Sequence, residues 1–575
     1  MPPVLKRFLP NGRKIALFAK KNLVEGRLDQ REKDFIAHNE KIWEHFLPRE
    51  DGGEILLEFS DMASSIIAFS YLANLLAQRH RARIVAYQTG KNFKALIINR
   101  KVKKIYRSFN VRDFIVLNLS PSQRQEVEQL FRNVNRSLKT KKDVEDLKVE
   151  GLWVGDLLYD SHCMEYRVPT IELGSQCFQN SLKKSVSSYV FWRDYLEAHR
   201  VRSVIVTHTV YVGSGVITRL AIQRGIPVYQ INASHLYYMT EKNLWAYNDF
   251  FYYPEQFRQL PEEERKRGLL AAQERLERRF AGEVGVDMCY STKSAYSRIK
   301  QGRVLKESPR IKILVATHCF FDSPHPFGVN LFPDFYEWLY FLGKISERTD
   351  YDWYIKTHPD FLPGNIPIIE EFIRKYPKFS LIPPETSHLQ LKKEGINVGL
   401  TVYGTIGFEY AALGIPVVNA SRCNPHIRYH FNLHPQTIDE YEEILMDLPN
   451  QELAIDINEV YEYYYMAFVN NTDNWLFKDY EAFIKEIGGY SQQFTPISYE
   501  IFIREFSRQR HEHIMRDLEG FVLSKSYRFG RYNRKVYRQK LLQVPKRVCC
   551  KIHRKSNLKL LEKWLPSHKA HRNNW

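Results

Sequence analysis

Residues 399–418 constrain this chain more than any other stretch. Leu400-Thr401-Val402-Tyr403 is apolar and β-prone and reads as a strand. Gly404 to Gly407 is a small-residue turn, and Thr405 is placed to cap a short helix running through Ala411 and Ala412. Gly414 and Pro416 stop that helix, and Val417-Val418 begin another strand. A strand, a glycine-bearing turn and a helix start gather backbone N–H groups at one point, and that point attracts phosphate. Glu409 lies one helical turn further in, within reach of a sugar hydroxyl. The same pattern also describes an ordinary turn of a parallel sheet, so its neighbours decide its meaning.

Those neighbours read as alternating strands and helices. Residues 54–59 form a first core strand, and Ser60-Asp61 precedes a helix over 63–79 whose Ile66, Phe69, Ala73 and Leu76 share a face. Residues 83–87 form the next strand. Helices follow over 122–137 and 181–199, then a buried strand over 204–207 that ends in His208. A helix over 216–224 and a strand from Gly225 complete the unit. A second unit opens with a strand over 312–317 and a long loop over 318–329. A strand over 353–356 then runs into Thr357-His358-Pro359. This order predicts α/β architecture: two facing, doubly wound Rossmann-like domains with a basic C-terminal tail. The expected divisions are an N-terminal extension over 1–50, a first Rossmann-like domain over 51–290 and a second over 305–490. A helical end segment over 491–524 and a membrane-associating tail over 525–575 follow.

Charge supports a separate tail. The chain carries 84 Lys plus Arg and 66 Asp plus Glu, a net +18. Residues 525–575 hold 16 of those bases and one acid, Glu562, which gives +15. The other 524 residues keep 68 bases and 65 acids, only +3. The body is therefore nearly balanced and shows no nucleic-acid-binding module, so nucleic acid is not an expected partner. The tail mixes its bases with Tyr527, Phe529, Tyr532, Trp564 and several leucines, a pattern suited to an anionic lipid surface. No run reaches the ~18 apolar residues of a membrane span. The basic N-terminus lacks a signal-peptide core, and the seven cysteines are scattered. The expected location is the cytoplasm, peripheral to the inner face of the cytoplasmic membrane.

Ligands of open parallel sheets bind beyond the carboxyl ends of the strands. His318, Asp322, His325, His358 and the segment from Tyr403 to Gly407 all fall there in the second unit, and Ser60-Asp61 and His208 in the first. His318 or Asp322 suits acid–base work if the loop faces the cleft. Asp61 suits a base facing an acceptor, and suits a helix cap equally well. Asp156 and Asp160 read better as capping or solvated acids. His318, Cys319, Asp322 and His325 lack the spacing of a metal site, so none is expected.

Lys356-Thr357-His358-Pro359, the segment 401–418 and the opening segment 54–77 resemble bacterial capsule and surface-polysaccharide biosynthesis proteins, glycosyltransferases of the GT-B class. The His-Pro pair followed by a Thr/Gly turn also resembles bacterial sialyltransferases and capsule transferases that use CMP-activated 3-deoxy-octulosonate. The resemblance implies donor-phosphate binding by His358, Thr401, Gly404, Thr405 and Gly407, with Tyr403 at the same turn. It implies ribose binding by Glu409, and makes 51–290 the acceptor domain and 305–490 the nucleotide-sugar domain. Tyr403-Gly404-Thr405 replaces the paired serines of the sialyltransferase pattern. The Asp-Ser-Gly-Gly run of sugar-nucleotide 2-epimerases and the Asp-Tyr-Ser-Ser run of glycerophosphotransferases are absent.

The expected function is metal-independent transfer of a sugar from a nucleotide-sugar donor to a growing, lipid-linked surface glycan, with no bound cofactor. The alternatives are a sugar-nucleotide epimerase, a polyol-phosphate transferase, or a nucleic-acid binder acting through the tail.

Overall fold

A computed structural model describes residues 27–44, 52–88, 93–297, 302–358, 364–451, 453–470 and 474–530. Two parallel sheets form its frame. The first contains β1 (Glu54–Glu58), β2 (Arg83–Gln88) and β3 (Val111–Val116), joined later by β6 (Val201–Val206), β7 (Val228–Ile231) and β8 (Leu236–Met239). A small hairpin, β4 (Lys148–Val149) and β5 (Leu152–Trp153), lies between these groups. The strand order is β3-β2-β1-β6-β7-β8, and only β8 runs antiparallel. The second sheet contains β9 (Lys312–Ala316), β10 (Asp352–Lys356), β11 (Phe379–Ile382), β12 (Val398–Thr401) and β13 (Val417–Asn419). Its order is β11-β10-β9-β12-β13, all parallel.

Both sheets are doubly wound around a reversal of strand order. In the first the reversal lies between β1 and β6, and in the second between β9 and β12. The strands beside these points are short apolar runs buried on both faces, as parallel sheets require. Ile55, Leu57 and Ile205 face one side of the first sheet and Leu56, Val204 and Val206 the other, each in its own core cluster. A reversal point leaves a crevice at the carboxyl ends of its two strands, because the following loops diverge to opposite faces.

Helix ends follow the sequence closely where caps are strong. Ser120 and Gln123 form a reciprocal capping box ahead of Pro121, and Asp334 caps the helix Phe335–Glu347. Other expectations change. The helix Ala63–His80 starts at Met62, whose N–H is taken by the Ser60 hydroxyl, and Asp61 makes no cap bond. Thr405 occupies the N-cap of Ile406–Ala412 without a side-chain bond. The helix Phe93–Ser108 and β3 fill a region the sequence leaves without a pattern, since charged residues crowd it.

The domain divisions shift for a packing reason. Residues 248–288, expected in the first domain, bury Phe250, Tyr253, Phe257, Ala272 and Leu276 against Phe408 and the helix Ile457–Tyr464 of the second. The chain then crosses back. Residues 475–529 pack on the helix Ala63–His80, with Tyr499 stacked 4.3 Å from Phe35 of the N-terminal helix Gln30–Trp43. That helix is thus part of the first domain's core, not an appended extension. The start of the expected tail also belongs to the fold. Tyr527 is hydrogen-bonded to the Trp245 carbonyl, Arg528 pairs with Asp249 at 2.6 Å, and Phe529 is buried against Trp475. Residues 531–575 lie outside the described residues. Among the described residues no helix is long and apolar enough to cross a membrane.

Candidate functional site

The strand-order reversal of the second sheet brings His318 and Thr401 together. His318 follows β9 and Thr401 ends β12, and Nε2 lies 3.1 Å from Oγ1. The Tyr403 N–H points at the same Nε2 from 3.4 Å, and the Gly404 N–H donates to Thr401 Oγ1 at 3.2 Å. A nitrogen that accepts from an amide and a hydroxyl carries no proton, so the neutral ring holds its proton on Nδ1. Burial pushes the imidazole down to about 3, with the nearby His358 adding to the effect. His318 therefore serves this turn as an acceptor and keeps one donor, Nδ1–H. It stacks on Phe335 at 4.6 Å and meets the tilted Tyr403 ring at 4.5 Å.

The turn itself is tight. A Cβ on Gly404 would stand 2.8 Å from Thr401 Oγ1, and one on Gly407 would stand 2.5 Å from the His426 ring. Both positions need glycine because of close approach, since neither has a positive φ. The N–H groups of Thr405 and Ile406 donate to no group among the described residues. The segment 401–407 thus presents two open donors where the sheet reverses, with exposed His358 beyond the end of the neighbouring β10. Such donors suit an anion.

Beneath the turn lies a buried polar layer. Lys356 Nζ donates to the Pro384 carbonyl at 2.9 Å, and burial pulls its ammonium down to about 8. Glu409 is 4 % exposed, with one oxygen paired to Arg279 and the other accepting the Tyr296 hydroxyl at 2.9 Å. Its carboxylate is engaged on both sides by residues that precede the second sheet.

Asp322 projects from the long loop after β9 and is exposed. Across the cleft it faces two first-domain groups that follow β6, His208 and Tyr211. Burial pulls His208 down, and the Asp322 charge opposes that. The Tyr403 hydroxyl donates to the Ser323 carbonyl at 3.0 Å, which ties the loop to the turn. Asp61 is exposed beyond β1, and its electrostatic neighbours are Tyr106 and Tyr499 on its own side of the molecule. The structure therefore groups His318, Thr401, Tyr403 and Gly404, sets Asp322 beside them against the other domain, and leaves Asp61 elsewhere.

One residue escaped the sequence reading, and two acids that it named lie in another environment. Glu58 ends β1 at the first sheet's own reversal. It accepts the Thr207 N–H at 2.6 Å, the Thr207 hydroxyl at 2.8 Å and the Ser214 hydroxyl at 2.7 Å. Burial pushes this carboxyl up, against those bonds. An acid closing an otherwise apolar strand was its one visible signal. Asp156 and Asp160, expected at the surface, are 1 % and 0 % exposed. Asp156 takes both Arg219 nitrogens, at 2.6 and 2.5 Å, and Asp160 pairs with His325 of the other domain at 2.6 Å. Nothing local signalled their burial, because their partners lie far along the chain. No group of three or more His, Cys, Asp or Glu side chains among the described residues is placed to hold a metal ion.

No known protein family and no curated protein matches this sequence. Solved structures do. One is UDP-GlcNAc 2-epimerase from Neisseria meningitidis bound to UDP-GlcNAc, 12% identical, covering 73% of this chain and 100% of that one, with a TM-score of 0.20. A glycosyltransferase from Rickettsia africae ESF-5 is 10% identical over 73% of this chain and 94% of its own, at 0.23. A ugt transferase from Siraitia grosvenorii in complex with UDP is 10% identical over 79% and 99%, at 0.18. At such scores these likenesses decide nothing about ligand or reaction. The GT-B arrangement stands on the two doubly wound sheets and the cleft between them.

Proposed function

We propose that this chain is a glycosyltransferase that moves a sugar from a nucleotide-sugar donor to a growing, lipid-linked bacterial surface polysaccharide. The reading rests on one observation above all, the His318–Thr401 contact at the reversal of the second sheet, which shapes a turn with open N–H donors. The donor phosphates sit against residues 401–407, and His358 and His318 Nδ1–H donate hydrogen bonds to the leaving group as it gathers charge. The bond from the anomeric carbon to the phosphate oxygen breaks, and one to the acceptor oxygen forms. The acceptor hydroxyl proton passes to a cleft carboxylate. Asp322 is the candidate, because it stands opposite His208 and Tyr211. The reaction needs no resident metal on this reading. Residues 531–575 dock the enzyme on the anionic inner face of the cytoplasmic membrane, beside a lipid-linked acceptor.

A thermal-shift panel of UDP, CMP, GDP and their sugars tests the donor site, since a ligand of the folded state raises its melting point. The stabilising donor is then incubated alone and with glycan acceptors. Transfer requires the acceptor. Conversion of the donor in its absence marks an epimerase, and stabilisation by none of the panel rejects the reading.

A further inference from the structure

Residues 317–334 form a long connection without regular secondary structure, from the end of β9 to the helix Phe335–Glu347. Connections of that length inside a compact fold usually carry function. This one brings His318 and Asp322 to the cleft. Its middle touches both domains: the Ser323 carbonyl accepts the Tyr403 hydroxyl of its own domain at 3.0 Å, and the residues after it reach across. His325, 1 % exposed, is inserted into the first domain. Its Nδ1 lies 2.6 Å from Asp160 Oδ1 on the helix Gly155–Tyr166, and its backbone N–H donates to Asp160 Oδ2 at 3.2 Å. Its Nε2 lies 3.0 Å from Glu145 on the helix Lys141–Glu145, and Lys142 braces Glu145 at 2.6 Å. A second anchor follows at the end of the connection. Asp334 accepts the Tyr159 hydroxyl and, at 2.6 Å, the Thr170 hydroxyl, both from the first domain.

Both ring nitrogens of His325 face carboxylates, so both carry protons and the ring is an imidazolium. Burial alone would pull it down, but Asp160 and Glu145 outweigh that and push it up to about 10. A buried cation between two acids is a rigid link, because parting its members leaves charges unpaired in a poorly solvated interface. The Tyr159 ring lies 5.8 Å from the imidazolium, and the other groups around the link face Asp160: Asp156, itself paired to Arg219, Cys163, and Tyr211 and Tyr403 from the two sides of the cleft.

We propose that His325 is a positioning residue that makes the working geometry of the cleft loop conditional on domain closure, by docking the loop of the second domain onto Asp160 and Glu145 of the first. Asp322, three residues earlier on the loop, reaches its place opposite His208 and Tyr211 only when this dock is made. Closure and assembly of the cleft are then one event rather than two. The docking stands on the geometry alone. Only the chemical use made of Asp322 rests on the proposed activity.

The test uses the full chain without nucleotide. Small-angle scattering reports the separation of the domains, and hydrogen–deuterium exchange reports the loop. His325→Gln, a neutral side chain that cannot satisfy both acids, is expected to enlarge the radius of gyration. It is also expected to raise exchange in residues 317–331 at least tenfold, while β1, β2, β9 and β10 exchange as before. Glu145→Gln should raise loop exchange by a smaller factor. Wild-type dimensions with wild-type loop exchange in His325→Gln overturn the proposal. Should that variant fail to fold, the wild-type chain decides the matter. Loop exchange, corrected for its intrinsic pH dependence, is expected to rise as the solution passes pH 10, and a flat profile from pH 7 to 11 overturns the proposal. Because no nucleotide enters either readout, a failure here leaves the proposed activity standing, and the reverse holds too.

Discussion

His318 Nε2 and Thr401 Oγ1 meet at 3.1 Å across the point where the second sheet reverses its strand order. Neither side chain is near the other in sequence, and the two strands that carry them lie side by side through β9 and β12. The contact turns two loops that diverge from the sheet into one surface. It holds Tyr403 and Gly404 by their backbone N–H groups and leaves those of Thr405 and Ile406 open.

His358 stands exposed beyond β10, beside this surface. His358→Ala should weaken transition-state stabilisation by roughly 2–4 kcal/mol, the range for one preorganised donor. An exposed side chain leaves the folding midpoint almost unchanged. Full turnover by the variant at saturating donor would remove His358 from the phosphate site.

Glu409 offers a sharper distinction. Its two oxygens hold Arg279 and Tyr296 in a buried layer. Glu409→Gln leaves the Arg279 charge short of a partner, and breaking a buried pair costs about 3–5 kcal/mol. Urea unfolding should show that loss. A variant of wild-type stability but raised donor Michaelis constant would instead assign the carboxylate to ribose.

The His325 dock sets a pH dependence with a definite sign. Its folded value, about 10, lies above the ordinary 6.5. The folded chain therefore holds more protons than the unfolded chain between those limits. The stabilisation is fully present below pH 6.5 and is lost as pH rises through 10, with a slope of up to about 1.4 kcal/mol per pH unit from this group. Chemical denaturation of wild type and His325→Gln at pH 7, 8.5 and 10 checks it. The difference in stability between the two should shrink with pH, and a constant difference would contradict the imidazolium.

The tail divides at Gly530. Tyr527 and Phe529 are built into the first domain and Arg528 pairs with Asp249, so ending the chain after Ser524 should lower its melting point. Ending it after Gly530 should keep the fold and release the protein from anionic vesicles. Each nearby Lys or Arg contributes ~1 kcal/mol to such a surface. Sedimentation with vesicles as complete as that of the full chain would rule out residues 531–575 as the anchor.

The strands and the turn at 401–407 were legible because burial on both faces leaves a dense apolar signature, and glycine marks close approach. The strand ends then pointed to His318 and His358 without any tertiary information, and Thr401 entered through the resemblance. Partners were not legible. His325 and Asp160 lie 165 residues apart, and Glu409 and Arg279 lie 130 apart. Nothing local at Asp160 distinguishes a buried acid from a solvated one. Residues 248–288 follow the first domain in sequence but bury their aromatic face on the second, a choice made by packing alone.

Hydrogen–deuterium exchange of the full chain, with and without the donor nucleotide that raises its melting point, tests the central claim most directly. The nucleotide is predicted to protect amides in residues 401–409, above all those of Thr405 and Ile406, together with residues 316–322. Binding with protection confined to other parts of the molecule would contradict the assignment of the donor site to the turn held by His318 and Thr401.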